Sequence, residues 1–127
     1  MKRTVLLILV LSALPFAAAE AQFAIVPVVD CVTYDAAMDT VTAYFGYYSS
    51  EAVVTPVPLG TSNFFAPLPP FRGQPVSFSP GWNRSVFAVT FSASSSVTWN
   101  LLGIAATASN DPALYCSGCA SPADPSR

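Results

Sequence analysis

The sequence predicts an all-β fold, a two-sheet sandwich of about seven or eight short strands, on three observations. Short runs of β-branched and aromatic residues recur from Ala24 to Ser109, separated by Pro, Gly, Ser and Asn. Few windows show the three-to-four-residue apolar spacing of an amphipathic helix. The 127 residues are 53% apolar and 13% aromatic with 12 prolines, which supplies large side chains to bury and argues against a disordered chain.

Before the strands, Met1, Lys2 and Arg3 form a positive n-region, Thr4 to Leu14 an apolar run, Pro15 a helix break and Ala19-Glu20-Ala21 a small-x-small cleavage site. Residues 1–21 are therefore expected to be a signal peptide, residues 22–110 the β-sandwich domain and residues 111–127 a Cys/Pro/Ser-containing tail. Ile25 to Tyr34 opens the domain, and Pro27 suits an edge or a kink. Asp35 to Asp39 reads as a loop. Thr40 to Tyr48 is the clearest strand, because Val41, Ala43, Phe45 and Tyr47 alternate with Thr42, Tyr44, Gly46 and Tyr48. The first set is assigned to the core. Ser49 to Glu51 make a turn, and Ala52 to Val57 return as a strand that ends at Pro56 and Pro58.

Leu59 to Gln74 contains Gly60, Pro67, Pro69, Pro70 and Gly73, so it is expected to be a crossover or a broken edge around Asn63-Phe64-Phe65. Pro75 to Ser79 is expected to be a short strand with Val76 and Phe78 inward, followed by a type II turn at Pro80-Gly81. Ser85 to Ser92 and Val97 to Leu102 read as a hairpin whose apolar faces, Phe87, Val89, Phe91 and Val97, Trp99, Leu101, join on pairing. Gly103 then turns the chain into a last strand, Ile104 to Ser109. One long crossover among short strands fits an immunoglobulin-like Greek-key sandwich, with a small barrel as the alternative.

Cys31, Cys116 and Cys119 allow at most one intramolecular bridge. Joining Cys31 to Cys116 or Cys119 closes a loop of about 85 residues and restricts the unfolded chain by roughly 4 kcal/mol in the entropy model. Cys116-Ser117-Gly118-Cys119 lacks the βαβ setting of a redox site. With no histidine anywhere in the sequence, it also lacks the further ligands of a common zinc site. No metal or cofactor is expected.

Past the signal, Arg72, Arg84 and Arg127 stand against Asp30, Asp35, Asp39, Glu51, Asp111 and Asp124. Three scattered arginines make no basic face, so nucleic acid is not an expected partner. No later apolar run is long enough to span a bilayer, and the expected location is extracellular or periplasmic. The missing histidine removes the commonest general base. Asp35 and Asp39 are the nearest carboxylate pair for glycoside chemistry, though a sandwich of this size leaves little room for a deep cleft; Asp30, Asp35 and Asp39 are the nearest calcium ligands, but solvated loop acids are the favoured reading of them. No catalytic residue is assigned.

The aromatic residues are the better candidates. Tyr44 and Tyr48 alternate with the core face, and Trp82 follows Pro80-Gly81, so the three are candidate ligand-facing rings for a sugar. The alternative is a satellite core under the crossover. Asn83-Arg84-Ser85 matches an N-glycosylation acceptor in what reads as a turn.

Tyr44-Phe45-Gly46-Tyr47, Pro58-x-Gly60, Asn63-x-Phe65, Gly73-Gln74-Pro75, Phe78-x-Pro80-Gly81 and Trp99-x-Leu101 together resemble an uncharacterised β-sandwich module of secreted and cell-surface bacterial proteins. The resemblance covers about Cys31 to Ser109, and Ala36-Ala37-Met38 stands where the module has an acidic turn. It leaves room for a structural or adhesive role and supplies no catalytic residue. The expected function is thus that of a secreted non-enzymatic sandwich at the cell envelope or extracellular matrix, with carbohydrate binding as the alternative. Cell-surface polysaccharide and other envelope proteins are the candidate partners.

Overall fold

The computed structural model describes residues 24–117. The expected signal peptide and Cys119 lie outside them. Within the described residues the chain is an all-β sandwich of eight strands and one 3₁₀ turn, Pro112–Leu114. One sheet has the order β1 (Ile25–Asp35), β2 (Thr40–Ser49), β6 (Gly81–Ser92). The facing sheet has the order β4 (Asn63–Ala66), β7 (Ser96–Leu101), β8 (Ile104–Ser109). A two-residue ribbon of β3 (Thr55–Pro56) and β5 (Ser77–Phe78) completes the set, and all these pairings are antiparallel.

Alternation along β2 buries Val41, Ala43, Phe45 and Tyr47 as expected, because a pleated strand sends every second side chain to one face. The other sheet answers with Phe65, Val97, Trp99 and Leu101. The two meet edge to face: Phe45 lies 5.3 Å from Phe65 at 86° and 6.0 Å from Trp99 at 90°, while Phe87 stands 4.9 Å from Trp99 at 88°. Such T-shaped pairs direct a positive ring edge at a negative ring face, adding about 1 kcal/mol each beyond area burial.

The expected hairpin between Ser85–Ser92 and Val97–Leu102 is not formed. β6 pairs with β2, and β7 with β4 and β8, so the serine loop after β6 carries the chain from one sheet to the other. The physical reason is that two apolar faces can join across a core as well as along a sheet, and alternation is the same in both cases. The Ala52–Val57 strand shrinks to Thr55–Pro56, leaving Val53 and Val54 exposed, since prolines on both sides of Val57 withdraw ladder donors. Phe78 is fully buried as expected, but Val76 points outward.

The long crossover is tied down by one buried side chain. Asn63 donates from Nδ2 to the carbonyls of Val57 (3.0 Å) and Pro75 (2.8 Å) and accepts at Oδ1 from the Trp99 indole N–H (2.9 Å). Arg72 caps the proline loop, donating to the carbonyls of Pro67, Leu68 and Pro69. Gln74 accepts from the Arg72 N–H and donates to Pro70.

The bridge joins Cys31 to Cys116. Beside it Cys116 N–H donates to the Val32 carbonyl at 2.9 Å, and Tyr115 forms a parallel bridge to Val32. Residues 111–117, read from sequence as the start of a tail, are therefore part of the folded body and meet the free edge of β1 at Cys31 and Val32.

Candidate functional site

Two irregularities in the β1–β2–β6 sheet build the site. The β1–β2 register slips between Val29 and Cys31, so Asp30 is an extra residue. On the other side, Phe45 faces Phe87 and Tyr47 faces Asn83, which leaves Arg84, Ser85 and Val86 opposite Gly46 alone. Ser85 takes φ +48° to make this bulge. Between the bulges Gly46 offers no side chain, and the Asp30 carboxylate crosses over it to reach β6.

There Asp30 Oδ2 accepts a short hydrogen bond from the Ser85 N–H and a long one from its hydroxyl, while Oδ1 accepts from Arg84 Nη1 at 3.2 Å. The carboxylate side chain is 8% exposed and the guanidinium side chain 65%. A shielded anion thus holds an outward-facing cation.

Strand alternation sends Trp82 and Arg84 to the same face. The Arg84 guanidinium lies 4.6 Å from the Trp82 ring centroid, and Tyr48, paired with Trp82 in register, brings its ring to 5.0 Å at 51°. Trp82 remains 58% exposed and Tyr48 36%. An exposed cation–π contact contributes about 0.5–1 kcal/mol, enough to bias the arginine's rotamer. Against this patch lies a cavity of about 450 Å³, with Asp30, Arg84 and Ser85 on one side and Tyr115, Cys116 and Ser117 of the C-terminal segment on the other.

Of the three candidate aromatics, the structure joins two. Tyr48 and Trp82 touch, whereas Tyr44 is half-buried in the row of Cys31 and Ala88, about 13 Å further along β2 at the usual strand rise. Trp82 itself stands in β6, not in a turn. The same holds for Asn83-Arg84-Ser85: Asn83 Nδ2 already donates to the carbonyls of Ser79 and Gly81, so a glycan there would displace two hydrogen bonds.

The acids read together from sequence are employed separately. Asp35 Oδ1 accepts from the N–H groups of Ala37 and Met38 in the β1–β2 loop, and Asp39 Oδ1 accepts from the Tyr34 hydroxyl. That bond, with Asp39's charge, holds the Tyr34 phenol above its usual pKa. Among the described residues no group of three or more His, Cys, Asp or Glu side chains could hold a metal ion, and no helix is long and apolar enough to cross a membrane.

Sequence reasoning missed Asp30 and Arg84. The signal for Arg84 was its two-residue spacing from Trp82. No periodicity marks Asp30, because a bulge changes face without changing composition.

A second hollow, about 470 Å³ and almost wholly apolar, opens between Gly60, Thr61, Phe64, Pro70 and Phe71 on the crossover side. The first site offers ring faces, a guanidinium fixed by Asp30 and Trp82, and a polar recess. In comparisons with known proteins, no family model, no curated protein and no solved structure matches the chain.

Proposed function

We propose that this chain is a secreted, non-enzymatic β-sandwich with a structural or adhesive role at the cell envelope or extracellular matrix. Its contact surface is the outer face of the β1–β2–β6 sheet. The observation that carries the reading is the Tyr48–Trp82–Arg84 patch: large rings left in solvent on a sheet face, with one of them held between an arginine and a tyrosine. Aromatic residues and arginine are the side chains that dominate binding surfaces, since they give much contact area for little lost rotamer freedom. Export is supported by the N-terminal sequence and by the Cys31–Cys116 bridge, which suits an oxidising compartment. The immunoglobulin-like reading is supported by the two facing antiparallel sheets and the β6–β7 passage between them.

The test is binding of the purified protein to isolated envelope, to polysaccharide and to itself. Retention on envelope or polysaccharide that falls at least about tenfold in Trp82→Ala supports the proposal. No retention on any of the three overturns it.

A second reading, a carbohydrate-binding module, is favoured by the contact between Tyr48 and Trp82. Sugar C–H faces pack on aromatic rings, and exposed rings in one row of a sheet are a natural footing for them. Glycan-array signals removed by Trp82→Ala support this reading, and an array without signal overturns it.

A further inference from the structure

We infer that the Trp82–Arg84 patch recognises a saccharide that carries a carboxylate, a uronic-acid type of residue, with its ring on Trp82 and its carboxylate on Arg84. The inference rests on the carbohydrate-binding reading and deepens it.

The argument starts from which polar groups remain to be used. Asp30 is the acid of the site, and its two oxygens already accept from Arg84 and from Ser85 N–H and hydroxyl while the side chain is shielded from solvent. It has little to offer the donors of a neutral sugar. Arg84 is in the opposite condition: one nitrogen binds Asp30, the side chain is 65% exposed, and the remaining guanidinium N–H groups are fixed in direction by Asp30 and by Trp82. The site therefore presents donors with positive charge, the complement of a carboxylate, which a guanidinium binds through two parallel hydrogen bonds.

The rest of the described chain sharpens this. The one other arginine there, Arg72, turns its Nε and Nη2 inward on three proline-loop carbonyls. Acids outnumber arginines elsewhere on the surface, so an anionic chain is repelled from most of the molecule and held at one point. The cavity beside Arg84 gives room for the groups that flank the carboxylate, and the Tyr115–Ser117 segment forms its far wall. Asp30 is then a positioning residue: it cancels the net charge of the pair but fixes the guanidinium plane, so the site attracts through aimed donors of the exposed guanidinium.

The test is calorimetric titration of the secreted protein with an oligogalacturonate, with the same oligosaccharide after carboxyl reduction, and with a sulfated neutral oligosaccharide. Oligogalacturonate is expected to bind at least about tenfold tighter than its reduced form and to weaken as salt is raised. Arg84→Gln is expected to remove that preference, and Arg84→Lys to keep part of it, because a point charge remains without the planar fork. A folded Arg84→Gln protein that retains the full preference overturns the inference. Equal binding of the uronate and its reduced form overturns the carboxylate assignment and leaves carbohydrate binding standing, whereas absence of binding to all three ligands overturns both. Binding of the sulfated oligosaccharide alone also overturns the carboxylate assignment.

Discussion

At Gly46 a methyl group has nowhere to go: an added Cβ would stand 2.3 Å from the Asn83 carbonyl oxygen, 2.8 Å from Asp30 Oδ2 and 3.0 Å from the Arg84 Cα. Two of those atoms are backbone of the neighbouring strand, so relief requires β6 to move. Gly46→Ala is expected to destabilise by about 2 kcal/mol or more, measured by urea unfolding, and to loosen the Arg84 site with it. Asn63 makes a different argument, since its side chain is fully buried and its three hydrogen bonds are lost together. Asn63→Leu strands the Trp99 N–H and two carbonyls, and a loss of about 3 kcal/mol is expected in the same assay. Tyr34 adds a pH dependence. Its hydrogen bond to Asp39 raises the phenol above 10.0, so the unfolded chain ionises first and the pair's contribution, present below the ordinary phenol pKa, is lost as pH rises through the raised one. A titration followed at the Tyr34 ring by NMR is expected to move to lower pH in Asp39→Asn, a replacement that tolerates the φ of +52° at this position.

The strands show why part of the fold was legible in the sequence and part was not. β2 could be read to the residue because alternation is a local property: Val41, Ala43, Phe45 and Tyr47 are in the core wherever the strand goes. The last turn was equally local, with Leu102 at φ +51° and Gly103 at +84° closing a two-residue β7–β8 hairpin. Partner choice is not local. Phe87, Val89 and Phe91 are compatible with pairing to β7 or with facing it, and only the competing claim of β2 decides. The site suffers the same limit twice over, because Asp30 and Ser85 lie in bulges whose geometry depends on Gly46 in a third strand. β6 is an edge, and its bulge at Arg84 to Val86 also interrupts a long row of unpaired backbone groups, the usual defence against edge-to-edge pairing. One irregularity thus aims the arginine and blunts the edge. Of the residues that carry the module resemblance, Gly46 lies in the site, whereas Asn63, Phe65, Gln74, Phe78 and Trp99 are buried scaffold of the crossover and core. A pattern of that kind reports architecture and is silent on ligand.

Across the whole molecule, the Cys31–Cys116 bridge links the stability of the sandwich to the completeness of the site. It joins β1 to the segment that follows the last strand, with 85 residues of separation, so it constrains nearly the whole described chain in the unfolded state. Loop-closure entropy puts its contribution at about 4 kcal/mol, a large share of a small domain's stability. The same bridge holds Tyr115, Cys116 and Ser117 against the cavity beside Arg84. In Cys31→Ala/Cys116→Ala two results are expected together: a urea midpoint lowered by an amount that matches about 3–4 kcal/mol, and a site whose far wall can leave. The two separate by conditions. In a stabilising osmolyte the folded population recovers, but the segment is then held by the Val32 backbone contacts, the packing of Leu114 and the Tyr115–Asn110 hydrogen bond without the covalent tie, so ligand affinity should stay below that of the bridged protein. Full recovery of affinity along with the fold would assign the bridge to stability alone and leave the cavity wall to those contacts.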